Sequence, residues 1–509
     1  MAFEVIRENI VVESISGEGT VQALIEGSVL LPAPARDAAA LYTDARLKLG
    51  NVEMQSDRVA MDGQVFFTLL YASGEEGTIQ SVETAMSISQ IFEIPGVHPK
   101  MSSDLWGSIE HTEAEISGGR ATLRAIASLH AQATGQQTIS CISSIEDVAN
   151  LQTLTIRPQS LCTIARGSGS VTLDERFELP YGLDSEEVLF TQARANIERT
   201  IALEDHAELF GQVLLDVFHR TALFDRPIIR TRHTMTFTAS IELPSCRVSS
   251  PIQADVHLRD ISAQLQREED GAYLYCEVTL GAEATAQERT EIEAISDAYA
   301  ASDALLSLST LSIPMRSEPR SENDVDSIKA MLSPEAGIPP IGSVLATFAR
   351  PSMWELFTDS RTHAEGVLEV TVLYSPSGGG RPLALIEEIP FRATYDFLLP
   401  DDNRAILTVE DPEAIQITVD KLELKCSLRL SAQAYETTAY PLAVDAELLE
   451  DEHEIPGGVT LYFAQRGDTL WSVAKQFRTT PESLARFNPD ISELSGGEKL
   501  LLYTRKIIK

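Results

Sequence analysis

Short stretches rich in β-branched and aromatic residues recur along most of the chain, separated by clusters of glycine, serine and proline. The stretch Leu368–Tyr374 alternates apolar and polar side chains, and Val65–Tyr71 is almost continuously apolar. Alternation with a period of two is typical of a strand that is buried on one face. The runs Ser73–Gly77 and Ser375–Gly380 follow these stretches and favour hairpin turns. The pattern therefore predicts a mainly β protein with antiparallel strands.

One set of these features occurs three times in the same order, which predicts an internal repeat. The spacing from Pro32 to Gly63 is 31 residues, and the spacing from Pro180 to Gly211 is the same. A third copy starts its equivalent strand at Gly366 but lacks the leading Leu-Pro pair. The matching segments are Leu31-Pro32, Gly63–Tyr71 and Phe92–Pro95 in the first copy, Leu179-Pro180, Gly211–His219 and Ile241–Pro244 in the second, and Gly366–Tyr374 and Phe397–Pro400 in the third.

Each copy has the length of a domain with its own core, about 100–150 residues. We expect three β-rich units that are sandwich-like or barrel-like, over residues 1–165, 166–307 and 308–446. A further strand pair closes each of the first two units. These pairs are Trp106–Ile116 with Ala121–Ala133, and Ile252–Leu265 with Ala272–Ala284.

The segments between the predicted strands give less definite signals. Asp37–Thr43 and Ser185–Thr191 fit either a helical turn or a crossing strand. Glu288–Leu306 is rich in Ala, Ser, Asp and Glu, and fits a helix or a loose acidic linker. Arg316–Pro340 contains four prolines and predicts a mobile loop before the third copy. Glu447–Gly458 predicts a flexible acidic tether to the C-terminal region.

The C-terminal region predicts a small βααβ module over residues 459–505. An extended run, Val459–Ala464, leads into the turn pair Gly467-Asp468. Thr469 is placed to cap a first short helix, and Thr480-Pro481 starts a second one. A strand over Gly497–Leu502 closes the module. Such a module has about fifty residues, a size at which a domain is only marginally stable alone.

The order Gly-Asp-Thr-Leu-Trp-Ser-Val-Ala, then Asn-Pro, then Gly-x-Lys-Leu-Leu resembles the LysM family closely, although Tyr503 stands where that family usually has Pro. The resemblance implies a shallow groove for N-acetylglucosamine-containing glycans between two loops. The groove residues implied by position are Gly467, Asp468, Thr469, Leu470, Asn488, Pro489, Asp490 and Ile491. An alternative stays open for each of them, that it only builds the module, and Trp471 is expected to pack inside it.

The three repeats followed by LysM resemble the SPOCS-domain proteins of spore-forming Clostridia. The resemblance rests mainly on Leu31-Pro32, Asp44-Ala-Arg46 and Ile94-Pro-Gly-Val97 in the first copy, and Gln192 replaces the Asp in the second. It implies a mother-cell, cytoplasmic protein at the forespore surface, a scaffold adaptor for the spore coat. In such a protein the LysM head docks the coat-basement ATPase, a coat morphogenetic protein. The alternative is an anchor whose LysM head binds peptidoglycan or cortex glycan.

Charge separates the head from the rest of the chain. The sequence has 40 basic and 76 acidic residues, a net charge of −36, which disfavours nucleic acid and anionic membrane surfaces as partners. From Val459 to Lys509 there are eight Lys/Arg and five Asp/Glu, so this region is slightly basic. A basic head on an acidic body indicates that the head docks onto an acidic surface.

The five cysteines are widely spaced and form no Cys-x-x-Cys pair, which indicates reduced core thiols and no zinc site. The N-terminal residues lack the pattern of a signal peptide, and no apolar run is long enough to span a membrane. We also find no nucleophile elbow and no phosphate-binding loop. His111 and Glu113 share one predicted strand face, which we interpret as a solvated surface. We therefore expect no catalytic residues, no metal and no cofactor.

Overall fold

The computed structural model describes residues 3–32, 37–74, 77–180, 183–223, 226–269, 271–302, 304–333, 337–418, 420–450, 458–491 and 493–504. The chain is mainly β, as predicted, and its two short helices lie in the C-terminal head. The first unit comprises β1 (Glu4–Leu30), β2 (Ala39–Gln55), β3 (Arg58–Ser73), β4 (Thr78–Glu93), β5 (Ser102–Ser117) and β6 (Arg120–Glu146). The second comprises β8 (Gln159–Glu178), β9 (Ser185–Leu203), β10 (His206–Thr221), β11 (Ile228–Glu242), β12 (Ile252–Glu268) and β13 (Gly271–Glu291).

The third unit follows the same order, and a short ribbon and the head complete the described elements. The third unit comprises β15 (Ala304–Leu332), β16 (Ile341–Thr358), β17 (Thr362–Pro376), β18 (Leu383–Tyr395), β19 (Asn403–Thr418) and β20 (Lys421–Glu450). The ribbon pairs β7 (Leu151–Ile156) with β14 (Ala294–Ala300). The head comprises β21 (Gly458–Phe463), α1 (Leu470–Gln476), α2 (Pro481–Phe487) and β22 (Lys499–Thr504).

Each unit is a sandwich of two three-stranded antiparallel sheets with one shared topology. In the first unit the strand orders are β1-β6-β5 and β2-β3-β4, and the other two units repeat them. The alternating side chains Val65, Phe67, Leu69 and Tyr71 of β3 are fully buried in the core of that unit. Leu332, at the end of β15, is fully buried in the core of the third unit.

The three units close into a ring through one arginine from each. The acceptors lie on or next to β-bulges in the fifth strand of the neighbouring unit, β12, β19 and β5. The first unit thereby contacts the second, the second contacts the third, and the third returns to the first. The bonds run from Arg46 Nη1 to the carbonyl of Leu258 (3.2 Å), from Arg194 Nη1 to the carbonyl of Val409 (2.6 Å), and from Arg350 Nη2 to Thr112 Oγ1 (2.5 Å).

Beyond the sandwiches, the long first and sixth strands continue as two-stranded ribbons that pack together as a stalk. Side chains from the first unit, the third unit and the β7–β14 ribbon share its apolar core. They include Ile10, Cys141, Ala294, Ile313 and Leu442. All five cysteines of the chain are free and buried, as the sequence predicted.

The predictions for two connecting segments are wrong. Glu288–Leu306 is neither a helix nor a loose linker, since it holds the end of β13, all of β14 and the start of β15. Its alanines suit a strand that is packed closely on both faces, and β14 is buried along most of its length. Arg316–Pro340 is strand as far as Leu332. The strand tolerates Pro319 because β15 lies at the edge of its sheet, with β20 as its one neighbour among the described strands, and proline is compatible with an edge strand.

The remaining connectors agree with one of the expected alternatives or are described only in part. β2 and β9 begin at Ala39 and Ser185, so Asp37–Thr43 and Ser185–Thr191 lead directly into strands, the crossing-strand alternative. The predicted tether overlaps β20, which continues to Glu450, and its residues 451–457 lie outside the described residues. The centre of the predicted Ser73–Gly77 turn, residues 75 and 76, lies outside them as well.

Candidate functional site

The head folds as its sequence predicts, with two capped helices on a two-stranded sheet. Thr469 Oγ1 accepts a hydrogen bond from the Ser472 backbone N–H at 3.0 Å, and Ser472 Oγ accepts one from the Thr469 N–H. This reciprocal pair is a capping box, here with Ser in the third helical position. Thr480 Oγ1 caps α2 by accepting a hydrogen bond from the Ser483 backbone N–H at 3.1 Å, and Pro481 is the first residue of that helix. The core between helices and sheet holds Val473, Ala474, Leu484, Leu500 and Leu502.

Asp468, one of the residues implied for a glycan groove, is occupied by bonds inside the head. Its Oδ2 accepts hydrogen bonds from the Tyr462 hydroxyl at 2.7 Å and from the Gln465 backbone N–H at 2.8 Å. Gly467 beside it has φ of +97°, a conformation that side chains disfavour and glycine permits. The Gly-Asp pair therefore forms the turn that places Thr469 at the start of the helix.

Asn488, implied for the other side of the groove, also has a structural role. Its side chain is buried, and its amide donates to the carbonyls of Leu484 at 2.8 Å and Leu501 at 3.0 Å. Its Oδ1 accepts the backbone N–H of Leu501 at 2.8 Å. The amide thus ties the end of α2 to the middle of β22, which explains why an Asn follows this helix.

The other implied groove residues lie on two loops that share one core. Leu470 and Ile491, one from each loop, pack against the same apolar cluster. Gly467, Thr469, Pro489 and Asp490 are exposed and remain accessible to a ligand. The geometry is therefore that of two loops with accessible backbone and few free polar side chains. Whether a glycan binds between them stays a prediction.

The head is held against the stalk by a contact that the sequence reasoning missed. Trp471 Nε1 donates to Asp297 Oδ2 at 2.8 Å, and Lys475 Nζ lies 2.5 Å from Asp297 Oδ1. Tyr299 meets the Trp471 ring edge-on, with centroids 5.1 Å apart, and its hydroxyl donates to the carbonyl of Thr479 at 2.7 Å. Burial of Tyr299 raises the pKa of its phenol well above the usual range. Trp471 therefore lies at the junction of head and body.

Only the tertiary structure could bring these residues together. Asp297 and Tyr299 lie on β14, in the segment for which the sequence favoured a helix or linker, and Trp471 follows 174 residues later. The one signal in the sequence was the opposite charge of head and body. The contact agrees with it at this point, since a body carboxylate meets a lysine of the head.

A polar cleft lies where the three units meet, and all three arginines that line it form ion pairs. Two of the pairs join different units directly, and the third arginine contacts one carboxylate of its own unit and one of the first unit. Arg166 contacts Asp104 at 2.7 Å, Arg404 contacts Asp255 at 2.9 Å, and Arg316 contacts Asp402 at 2.6 Å and Glu13 at 3.5 Å. The cleft thus holds a set of inter-unit ion pairs, and these charges stabilise the ring.

The histidines among the residues that the structure describes give no catalytic arrangement. We predicted that His111 lies on a solvated strand face. Its side chain is half exposed, but its Nδ1 also lies 2.7 Å from a carboxylate oxygen of Glu369 in the third unit. His219 is fully buried between Ser185 and Thr231 without a carboxylate beside it. Within the residues that the structure describes, no group of His, Cys, Asp and Glu has the arrangement of a metal site.

Two family models match this chain. The model described as "SipL, SPOCS domain" matches residues 40–117, which span β2, β3, β4 and β5 of the first unit, and the LysM model matches residues 462–500 of the head. The chain carries a SPOCS domain and a LysM domain. It thus resembles SipL in architecture.

The SPOCS match lies in the first repeat, whose motifs are the most complete of the three copies. No curated protein and no solved structure matches the chain. No helix among the described residues has both the length and the apolar character needed to cross a membrane. A SPOCS domain together with a LysM domain indicates a sporulation-related protein that carries a glycan-binding type of module.

Proposed function

We propose that this protein is a non-enzymatic scaffold adaptor of the spore coat, acting in the mother cell at the forespore surface. Its LysM head docks the coat-basement ATPase, and the ring of SPOCS-type units offers binding surfaces to other coat components. The observation that carries the proposal is the construction of the body. Three copies of one β unit close on each other through arginine hydrogen bonds and inter-unit ion pairs, and the described residues assemble no reactive cluster in the cleft between them.

The sheets supply a means of assembly. In the second sheet of each unit, β4, β11 and β18 occupy an edge, with one strand neighbour each among the described strands. Such edges expose backbone N–H and C=O groups that pair with a strand from another protein. Threefold repetition of these edges on one ring gives one molecule several equivalent attachment points, which suits a scaffold.

A second candidate function is an anchor that binds peptidoglycan or cortex glycan through the LysM groove. The observation that favours it is the accessibility of Gly467, Thr469, Pro489 and Asp490 while the head is docked. The body contacts α1 through Trp471, and it leaves these loops exposed.

Calorimetric titration of the full-length chain separates the two candidates. The chain is titrated with purified coat ATPase, then with chitin and muropeptide oligomers. Saturable binding to the ATPase alone supports the adaptor, and micromolar binding to the oligomers alone supports the anchor. Absence of binding to the ATPase overturns the adaptor. Release of shorter fragments from the oligomers would overturn the proposal that the protein is non-enzymatic.

A further inference from the structure

The sheet of the head has two faces, and the one that points away from the helices is apolar. On the inner face, Tyr462, Leu500 and Leu502 pack against the helices. On the outer face, every apolar side chain is between 42% and 65% exposed, and an aromatic residue of α2 extends the surface. This outer face consists of Val459, Leu461, Phe463, Phe487, Leu501 and Tyr503.

A sheet with one face in water normally alternates apolar and polar residues. The outer face departs from that rule, since its cross-strand pairs Val459–Tyr503 and Leu461–Leu501 are apolar on both strands. Phe487 continues the patch, with its ring 6.0 Å from that of Tyr503. Contiguous exposed apolar surface of this kind marks interaction sites on soluble proteins.

The contact with the body does not cover this face. The body reaches the head through Asp297 and Tyr299, which touch Trp471, Lys475 and the carbonyl of Thr479 on the helical side. The side chains of the outer face point to the opposite side of the sheet, because side chains alternate along β21 and β22. Docking to the stalk therefore orients the outer face outward.

The charges next to this face indicate the chemistry of its partner. Lys499 lies beside it, with Nζ 5.8 Å from the centre of the Phe463 ring, and Arg486 is exposed next to Phe487. Neither cation has a carboxylate partner among the described residues. The neighbouring Glu498 is occupied by Ser495, whose hydroxyl and backbone N–H both donate to it. The surface is thus apolar with a basic margin.

A polypeptide fits this surface better than a glycan. Sugar hydroxyls need hydrogen-bond partners, and among the described residues the polar side-chain groups on this side of the sheet are only the Tyr503 hydroxyl and the Lys499 ammonium at its margin. Apolar side chains flanked by carboxylates would match both the patch and its two cations. The glycan groove implied by the LysM resemblance is formed by the loops 467–470 and 488–491, so the two surfaces are separate.

We infer that the outer face of β21 and β22 is the docking surface of the head for an apolar, acid-bearing segment of a protein partner. The inference rests on the proposed adaptor function and names the surface through which it acts, with the coat ATPase as the partner. A protein can occupy this face while the head stays docked on the stalk and the glycan groove stays open.

The test uses the full-length chain with the double substitution Leu461→Thr and Phe463→Thr, and separately with Lys499→Glu. Threonine keeps strand propensity and removes apolar surface, so the head is expected to remain folded. The control variants are Ile386→Thr, which replaces an exposed apolar residue on β18, and Lys421→Glu in the body. Binding to the coat ATPase and to chitin oligomers is measured for each variant, together with thermal unfolding.

We expect the double variant to bind the ATPase at least tenfold more weakly, Lys499→Glu to bind it several-fold more weakly, and both controls to bind like the wild type. Binding to chitin, where the wild type shows it, should not change. If the double variant binds the ATPase as tightly as the wild type, the outer face is not the docking surface, and the proposed adaptor function is unaffected. Absence of ATPase binding by the wild type would overturn both. If the double variant is unfolded, Lys499→Glu decides, and an unchanged affinity there overturns the inference.

Discussion

The junctions between the β units and the junction between head and body both use ion pairs, but these pairs differ greatly in how deeply they are buried. Arg316 is almost fully buried between Asp402 at 2.6 Å and Glu13 at 3.5 Å. At the head, Asp297 is about one quarter exposed, and its partner Lys475 is 43% exposed. The first arrangement joins the third unit to the N-terminal strand, and the second holds a small module against the stalk.

The difference in solvent exposure determines how much each junction contributes to the free energy of unfolding. A buried charge that loses its partner keeps the full cost of desolvation, so a broken buried pair is strongly destabilising. An exposed pair is screened by water and contributes about 1 kcal/mol or less. We therefore expect the three units to unfold together, and the head to leave the stalk while the body stays folded.

The largest expected effect comes from Arg316→Met. Removing the guanidinium leaves the largely buried Asp402 without its cation and Glu13 with neutral donors alone, and we expect a loss of about 3–5 kcal/mol in the free energy of unfolding. Urea unfolding of the full-length chain measures it. The matched control is Arg320→Met, whose partner Glu436 is half exposed like Arg320 itself, with an expected loss below about 1 kcal/mol. Equal losses in the two variants would contradict the role of burial.

A comparison between repeats gives the second prediction. His219 occupies the place of the buried Tyr71 and Tyr374 in the other units, hydrogen-bonded to Ser185 Oγ at 3.0 Å and Thr231 Oγ1 at 2.8 Å. Burial, together with the charge of His233, lowers the pKa of His219 to about 4. The unfolded chain, with an ordinary pKa near 6.5, therefore takes up this proton first as the pH falls.

The contribution of His219 to stability is complete above about pH 6.5 and is lost as the pH falls towards 4, by on the order of 3 kcal/mol. The variant His219→Tyr restores the residue of the other copies and should remove this part of the pH dependence. Unfolding free energies at pH 7 and pH 5 test it. The difference between the two pH values should be smaller in the variant, and an identical difference would show that His219 does not titrate in this way.

The third prediction compares two arginines of the ring. Arg350 contacts both Thr112 and the largely buried carboxylate of Glu369, so Arg350→Leu should cost about 2 kcal/mol. Arg46 bonds only to backbone carbonyls of the second unit, so Arg46→Leu should cost about 1 kcal/mol. Denaturant unfolding of both variants gives the order. A greater loss for Arg46→Leu would show that the carboxylate does not set the strength of these junctions.

The smallest expected effect is at the head. Asp297→Asn keeps an acceptor for Trp471 but removes the charge opposite Lys475, which should weaken the junction by about 0.5–1 kcal/mol. Hydrogen exchange should accelerate in β14 and α1 while the strands of the ring remain protected. The control is Glu293→Gln, which neutralises an exposed carboxylate close by in sequence. Uniform acceleration across the body would show that the head is an integral part of the fold.

Local sequence was sufficient wherever a structure depends on neighbouring residues. The caps Thr469 and Thr480, the βααβ order of the head and the strands around Val65–Tyr71 follow from side-chain chemistry within a few positions. The repeat was visible because duplicated strands keep the same apolar spacing. The groove residues Asp468 and Asn488 were identified in sequence, but their structural hydrogen bonds became clear only from the fold.

The tertiary structure alone decided which distant residues meet. The sequence marked Arg46 as part of a motif, and only the ring shows that it reaches a β-bulge of the next unit, 212 residues away. It likewise decided that the alanine-rich β14 is a strand and that Asp297 holds the head. The physical reason is that alternation records whether a face is buried, whereas the partner that buries it is set by packing between segments far apart in the chain.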